Sequence, residues 1–242
     1  AYEIMSSDWS PDVCSSDLLL RREMNSSTKL QCGGRELLRG SLYGAAVVVG
    51  HAGIGAMLMA MQLTRMLTEL RPEAVILCGC GGSYPDSGPG IGDLALASSE
   101  IYGDCGVTTD SGFIPLEQLK IPQQTRFAPL FRQSYKLDTP LFQRAAQLLP
   151  QAHCGPFVTV NNCSGTPELS RQLQQQTAGI CENMEGAAAA QVCAEFSCPL
   201  IEIRGISNPT GTRADELWDI PLGMRVAQQA VLTLLQRGLL TT

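Results

Sequence analysis

Five residues with almost no side chain, Gly186-Ala187-Ala188-Ala189-Ala190, follow directly on a glutamate, Glu185, and constrain the fold more than any other stretch. Such a run reads as a helix bare enough to lie very close to a neighbouring backbone, because nothing projects to hold it away. The start of that helix, and Glu185 with it, is thereby fixed. Pro199 to Ile206 (PLIEIRGI) then reads as a buried strand, apolar and partly β-branched, with Ser207-Asn208 at its carboxyl end. Ligands of open α/β sheets bind at that end of the strands. Pro209 biases Asn208 toward an extended backbone and so limits where its carboxamide can point.

The rest of the chain narrows the function classes. With 242 residues, 44% hydrophobic and 17% charged, it can bury one substantial core. A net charge of −6 argues against a nucleic-acid partner, which would need a basic face. No apolar run reaches the ~20 residues that span a bilayer, and the N-terminus carries no charged start, apolar core and small-residue cleavage site. A cytoplasmic location is expected. The ten cysteines lie mostly inside apolar runs, and the two histidines, His51 and His153, are far apart in sequence. Metal-ligand spacing is absent among them, so no metal site is expected and the cysteines read as reduced core or site-wall residues.

Taken in order, residues 1–30 form an atypical segment. Ser6 to Leu18 has neither helical nor strand period, reads like sequence foreign to the rest of the chain, and leaves Ala1 to Met5 as a strand remnant before a short helix from Leu18. Residues 31–242 read as a single domain. Ala45 to Val49 is a β-branched strand, and Gly53-Ile54-Gly55 turns it into a helix whose apolar face is expected at Ile54, Met57, Leu58, Met61, Leu67 and Leu70. A dinucleotide fingerprint fails, since Leu58 stands where a third glycine belongs, and no P-loop lysine follows. Ala74 to Cys78 is a second strand running into Gly79-Cys80-Gly81-Gly82, where a flat ligand could approach the backbone. Asp93 to Ser98 is a third strand, Gly103 to Thr139 a long irregular stretch, Leu141 to Leu149 a helix, Phe157 to Val160 a strand, Glu168 to Gln176 a solvent-facing polar helix, and Leu222 to Leu235 an apolar-faced helix after Pro221.

Several of these motifs in one order, GHAGIGA at Gly50, CGCGGSYPDSGPGIGDLALASSEIYGDCGV at Cys78, NCSGT at Asn162, ENMEGAAAA at Glu182, EIRGISN at Glu202 and TRADELWDI at Thr212, resemble the nucleoside phosphorylase and nucleosidase superfamily. Within it the chain is most similar to the futalosine hydrolases of menaquinone biosynthesis. The resemblance runs from about Gly40 to the C-terminus and implies a three-layer α/β/α fold around a central mixed sheet, a homo-oligomer, no cofactor, and a small nucleoside with water as partners. It carries Glu185 and Asn208 over as catalytic residues. As substrate-binding residues it gives Cys80, Gly81, Gly82, Met184, Ser207 and Arg213, with Thr159 and Val160 on a weaker motif match. It also implies a water-activating glutamate just after the first strand, for which the Ser6 to Leu18 stretch offers no match.

The chemistry agrees with these residue types. Breaking an N-glycosidic bond builds positive charge on the ribose and negative charge on the departing purine. A glutamate can accept both ribose hydroxyl hydrogens, and the resemblance gives Glu185 that role; the alternative is that Glu185 complements a helix dipole. A carboxamide at Asn208 donates to O6 and accepts from a protonated N7, which fits hypoxanthine, whereas superfamily members that cleave adenine nucleosides have an aspartate there. The carboxylated 5′ group of futalosine would be anchored by Arg213 or Arg204, Arg204 being equally suited to hold a neighbouring carboxylate. The rivals are a methylthioadenosine/adenosylhomocysteine nucleosidase, an inosine phosphorylase, and a nucleoside-binding protein without turnover.

Overall fold

In the computed structural model, residues 2–6, 18–119, 132–214 and 217–240 are described. The elements in order are β1 (Tyr2–Ser6), α1 (Leu18–Glu23), β2 (Asn25–Cys32), β3 (Arg35–Leu42), β4 (Ala45–His51), α2 (Ala56–Leu70), β5 (Val75–Ser83), β6 (Leu94–Tyr102), β7 (Gly106–Thr109), β8 (Gly112–Pro115), β9 (Ser134–Lys136), α3 (Pro140–Leu148), β10 (His153–Thr159), α4 (Pro167–Thr177), β11 (Cys181–Asn183), α5 (Gly186–Glu195), β12 (Leu200–Pro209) and α6 (Ile220–Gln236). A mixed sheet runs β11-β10-β6-β12-β5-β1-β4-β3-β2, with β9 added beside β6. The antiparallel pairing of β11 with β5 closes its first five strands into a ring.

Side-chain alternation along β5 assigns the two faces. Val75 and Leu77 pack with Met59, Leu63 and Met66 of α2 and with the alanines of α5. Ile76 and Cys78 pack on the other face with Ala227, Val231, Leu234 and Leu235 of α6 and with α1 and α3. The three-layer α/β/α arrangement is therefore present, with each strand's period of two feeding both helical layers. The bare helix behaves as its composition requires: Gly186 to Ala190 are all buried, and α5 packs against both α2 and the sheet.

Several expectations need correction. Met57 is 79% and Met61 45% exposed, and the buried face of α2 is Met59, Gln62, Leu63, Met66 and Leu67. The helix is rotated from its expected setting because Met59 and Leu63, not Met57 and Met61, lie over the sheet. The polar helix α4 is not merely solvent-facing, since Leu173 packs on Tyr84, Val158 and Val160 and the hydroxyls of Ser170 and Thr210 hydrogen-bond at 2.7 Å. The stretch 103–139 holds the β7–β8 hairpin and β9, while residues 120–131 lie outside the described residues. The strand remnant at the N-terminus is β1, which lies between β4 and β5, parallel to both, with Ile4 fully buried. The Ser6 to Leu18 stretch lies outside the described residues over 7–17.

The layers meet at backbone contact where β12 crosses α6. A Cβ added to Gly205 would stand 2.0 Å from the Gly223 carbonyl oxygen, a backbone atom that cannot swing aside. Gly205→Ala is therefore expected to lower unfolding free energy by about 1–3 kcal/mol through overpacking, measured by chemical denaturation. An unchanged midpoint would show that α6 can retreat without cost.

Candidate active site

The carboxyl ends of β5, β11 and β12 converge with the 161–166 loop and with Thr212, Arg213, Trp218 and Ile220 around one pocket. Its wall contains Cys80, Gly81 and Gly82 from β5, Met184 and Glu185 before α5, Ser207 and Asn208 from β12, and Arg213. Thr159 and Val160 lie outside that wall. Val160 is buried against Tyr84 and Leu173, and Thr159 underlies the head of α5, where its hydroxyl accepts the Ala187 N–H at 2.7 Å.

Glu185 occupies the N-cap position of α5 without capping it. Its carboxylate instead crosses to the α2 side, where Oε1 accepts the Gly55 N–H at 2.9 Å and Oε2 lies 3.3 Å from Nη1 of Arg204. Gly55 is the N-cap of α2 and has φ 93°, a left-handed setting natural to glycine. A carboxylate held at another helix's N-terminus is not serving its own helix dipole, and the glycine turn accordingly meets an anion. Arg204 is 1% exposed and lies within β12. Its Nε donates to Glu202 Oε1 at 2.9 Å and its Nη1 to the Cys80 carbonyl at 3.1 Å. Burial opposes its charge, and Glu202 and Glu185 more than offset that, leaving its pKa raised. As a candidate anchor for a 5′ substituent, Arg204 is thus superseded: it holds neighbouring carboxylates inside the core. Arg213 is exposed and stacks 4.7 Å over the Trp218 ring at the pocket edge.

Asn208 is aimed by a β-bulge. Along β12, Ile206 pairs with Gly81 and Asn208 with Gly82, so Ser207 is the extra residue. Ser207 Oγ donates to Asn208 Oδ1 at 2.7 Å, and Asn208 Nδ2 donates to the Pro209 carbonyl at 3.0 Å. One lone pair of Oδ1 and one amide hydrogen are left for a ligand. Gly82 makes room, since a Cβ there would come within 3.1 Å of Asn208 Nδ2. The Asp219 N–H donates to the Ser207 carbonyl at 2.7 Å, and its carboxylate caps α6 through the Leu222 N–H at 2.9 Å. These two bonds tie Trp218 to the bulged strand.

The same pocket includes residues not expected from sequence, namely Cys163, Ser164, Glu182, Asn183, Thr210, Thr212, Trp218 and Ile220. Glu182 braces the wall: its carboxylate accepts the Ser164 N–H at 3.0 Å, the Ser164 hydroxyl at 2.5 Å and the Tyr84 hydroxyl at 2.9 Å. A second glutamate three positions before Glu185 was the available signal for it. Burial and then Glu182 push the Cys163 thiol up to about 11, and burial raises the Cys80 thiol as well. Neither is a thiolate at neutral pH, which leaves the pocket to electrostatic rather than thiol-nucleophile chemistry.

Comparison with known proteins gives the family. The Phosphorylase superfamily model matches residues 16–237, and the chain belongs to that family. Futalosine hydrolase of Thermus thermophilus is 29% identical over 80% of this chain and 83% of its own length. The 5′-methylthioadenosine/S-adenosylhomocysteine nucleosidase of Tolumonas auensis is 28% identical over 83% of this chain and 85% of its own length. Among solved structures, futalosine hydrolase of Helicobacter pylori superposes with a TM-score of 0.81 at 17% identity, covering 98% of this chain and 97% of that one. The Streptococcus pneumoniae MTA/SAH nucleosidase in complex with 8-aminoadenine gives 0.80 at 21%, covering 97% of this chain and 98% of that one.

Removing the buried cation should be costly to stability. Arg204→Met would leave Glu185 and Glu202 without their shared partner, and a loss of about 3–5 kcal/mol in unfolding free energy at pH 7 is expected. A change below about 1 kcal/mol would mean that the carboxylates find other compensation.

Proposed function

We propose that this chain hydrolyses the N-glycosidic bond of a 6-oxopurine nucleoside, with futalosine as substrate and free hypoxanthine as the product that leaves the base site. The observation that carries this reading is a neutral carboxamide, Asn208, held by a bulge at the wall of a pocket that also carries the Glu185 carboxylate. The relatives named for futalosine hydrolysis support it.

In this reading the ribose lies over Glu185. The carboxylate exchanges its contact with Gly55 for the ribose hydroxyls and stabilises the positive charge that develops as the bond to the base lengthens. Arg204 holds the carboxylate in place. Asn208 accepts from a protonated N7 through the free lone pair of Oδ1 and donates to O6 through Nδ2, which stabilises the departing base. Arg213, stacked on Trp218 at the pocket edge, is placed to meet a carboxylate on the 5′ substituent. Glu185 and Asn208 are thus the proposed catalytic residues; Cys80, Gly81, Gly82, Met184 and Ser207 form the wall against which the nucleoside packs.

A second reading rests on one feature of the sequence. Residues 7–17, just after β1, contain aspartates and no glutamate. Loss of a general base slows turnover by about 10²–10⁴-fold. On that reading the chain binds 6-oxopurine nucleosides and cleaves them slowly.

The test is product analysis after incubation with futalosine, inosine and methylthioadenosine, each with and without phosphate. Hypoxanthine released from futalosine independently of phosphate is expected. Adenine from methylthioadenosine as the preferred product, or strict dependence on phosphate, would replace the proposal by one of its rivals. Two variants sharpen the assignment. Asn208→Asp should weaken cleavage of futalosine by about 1.5–3 kcal/mol in kcat/KM and raise relative activity on the adenine nucleoside. Glu185→Gln should lose activity mainly in kcat, with folding retained; equal kcat in the two proteins would remove Glu185 from the ribose site.

A further inference from the structure

Behind Glu185 and Arg204 lie two further glutamates that the reaction does not use, Glu100 on β6 and Glu202 on β12, both fully buried. Each is tied into the framework of the site. Glu100 Oε1 accepts from Asn183 Nδ2 at 2.6 Å, and its Oε2 lies 2.7 Å from the Thr159 hydroxyl. Asn183 Oδ1 in turn accepts the N–H groups of Glu185 at 2.9 Å and Gly186 at 2.7 Å. Glu202 Oε1 takes Arg204 Nε, whereas its Oε2, equally buried, receives no hydrogen bond from any described group. That oxygen is turned toward Glu100. A Cβ added to Gly186 would stand 2.0 Å from Glu100 Oε1 and 2.3 Å from Glu202 Oε2, so both oxygens converge on the space above this one residue.

Two carboxylates cannot both be ionised at such an approach in a closed interior, particularly when Arg204 already serves Glu185. We propose that Glu100 and Glu202 share a single proton between Glu100 Oε1 and Glu202 Oε2, and that this pair is a positioning device that holds Arg204 and the first turn of α5, and through them Glu185. With the proton in place the pair carries one negative charge, which Arg204 Nε meets, leaving Nη1 for Glu185. Without it, two anions face each other above Gly186. Their repulsion is relieved by drawing Arg204 further from Glu185 and by displacing the turn that Asn183 caps. The glycine at 186 is therefore the space that the pair occupies.

Burial, followed by the Glu202 charge, drives the Glu100 carboxyl well above the usual carboxylate range. The groups facing Glu100 are Glu202 and Arg204 on β12, Cys181 on β11, and Tyr84 and Tyr102 at its flanks, while Glu185 at the head of α5 faces Glu202. For an acid whose folded pKa is raised, the folded chain keeps a proton that the unfolded chain releases. Stability is then lost as pH rises from the ordinary glutamate range toward the raised value.

The test compares the parent chain with Glu100→Gln, whose amide can donate to Glu202 Oε2 in place of the shared proton while giving up the bond accepted from Asn183 Nδ2. Chemical denaturation from pH 6 to pH 8 should show the parent's unfolding constant rising, relative to that of Glu100→Gln, by up to about tenfold per pH unit. Glu202→Gln, which removes the charge opposing Glu100, should reduce the same dependence and serves if the first variant does not fold. Parallel pH dependence in parent and variants overturns the shared proton. The link to Glu185 is read separately, by inosine titration calorimetry over the same range, and this part rests on the nucleoside reading above. The parent's affinity should weaken toward alkaline pH while that of Glu100→Gln stays level; equal slopes would overturn the positioning role. If neither protein binds inosine, the proposed function fails, and the denaturation series still decides the shared proton.

Discussion

The ion pairs of Arg204 are the interaction on which the site depends. A guanidinium at 1% exposure, inside a strand, has no water to solvate it, so its place is set by its neighbours: Glu202 on its own strand, Glu185 at the head of α5, and the Cys80 carbonyl of β5. Buried ion pairs of this kind contribute little net stability, but removing one partner is severe because the other stays buried and unpaired. What the arrangement secures is geometry. Three elements that meet at the pocket are bonded to one rigid, planar fork of donors.

A second constraint is steric. Gly205 and Gly223 let α6 rest on β12 at backbone contact, and Gly186 leaves room over α5 for two carboxylates. The bulge at Ser207 then turns Asn208 toward the pocket, while the Asp219 N–H on the Ser207 carbonyl brings the Trp218 segment over it. The charges around Arg204 and the close packing of β12 on α6 act together. They leave Glu185 and Asn208 as polar groups with hydrogen-bonding capacity directed at the same cavity.

Much of this is legible in the sequence. The alanine run, the apolar strand ending in Ser207-Asn208 and the β5 glycines can be read directly, because period, bareness and strand exit are local properties. The three-layer fold follows from the family resemblance and is present. Less can be read where tertiary context decides. The buried face of α2 differs from the expected one because four methionines and several leucines offer more than one apolar stripe, and only the sheet beneath selects Met59 and Leu63. The β2–β3 hairpin has little local signal: β2 is polar and mostly exposed, so it carries no alternation, and its Gly33-Gly34 turn is the one local sign. Glu100 could not be read as a partner of Glu202, because they lie about a hundred residues apart and only the pairing of β6 with β12 joins them. Nor could the bulge that aims Asn208, since it shows only in the register against β5.

The central claim is that Glu185, fixed by Arg204, is the carboxylate that meets the sugar. A crystal structure of the Glu185-intact chain with inosine or a non-hydrolysable analogue addresses it most directly. The account predicts the ribose hydroxyls within hydrogen-bonding distance of Glu185, the Arg204 contact kept, and the base edge against Asn208. A ribose seated away from Glu185, with its carboxylate still on the Gly55 N–H, would contradict it.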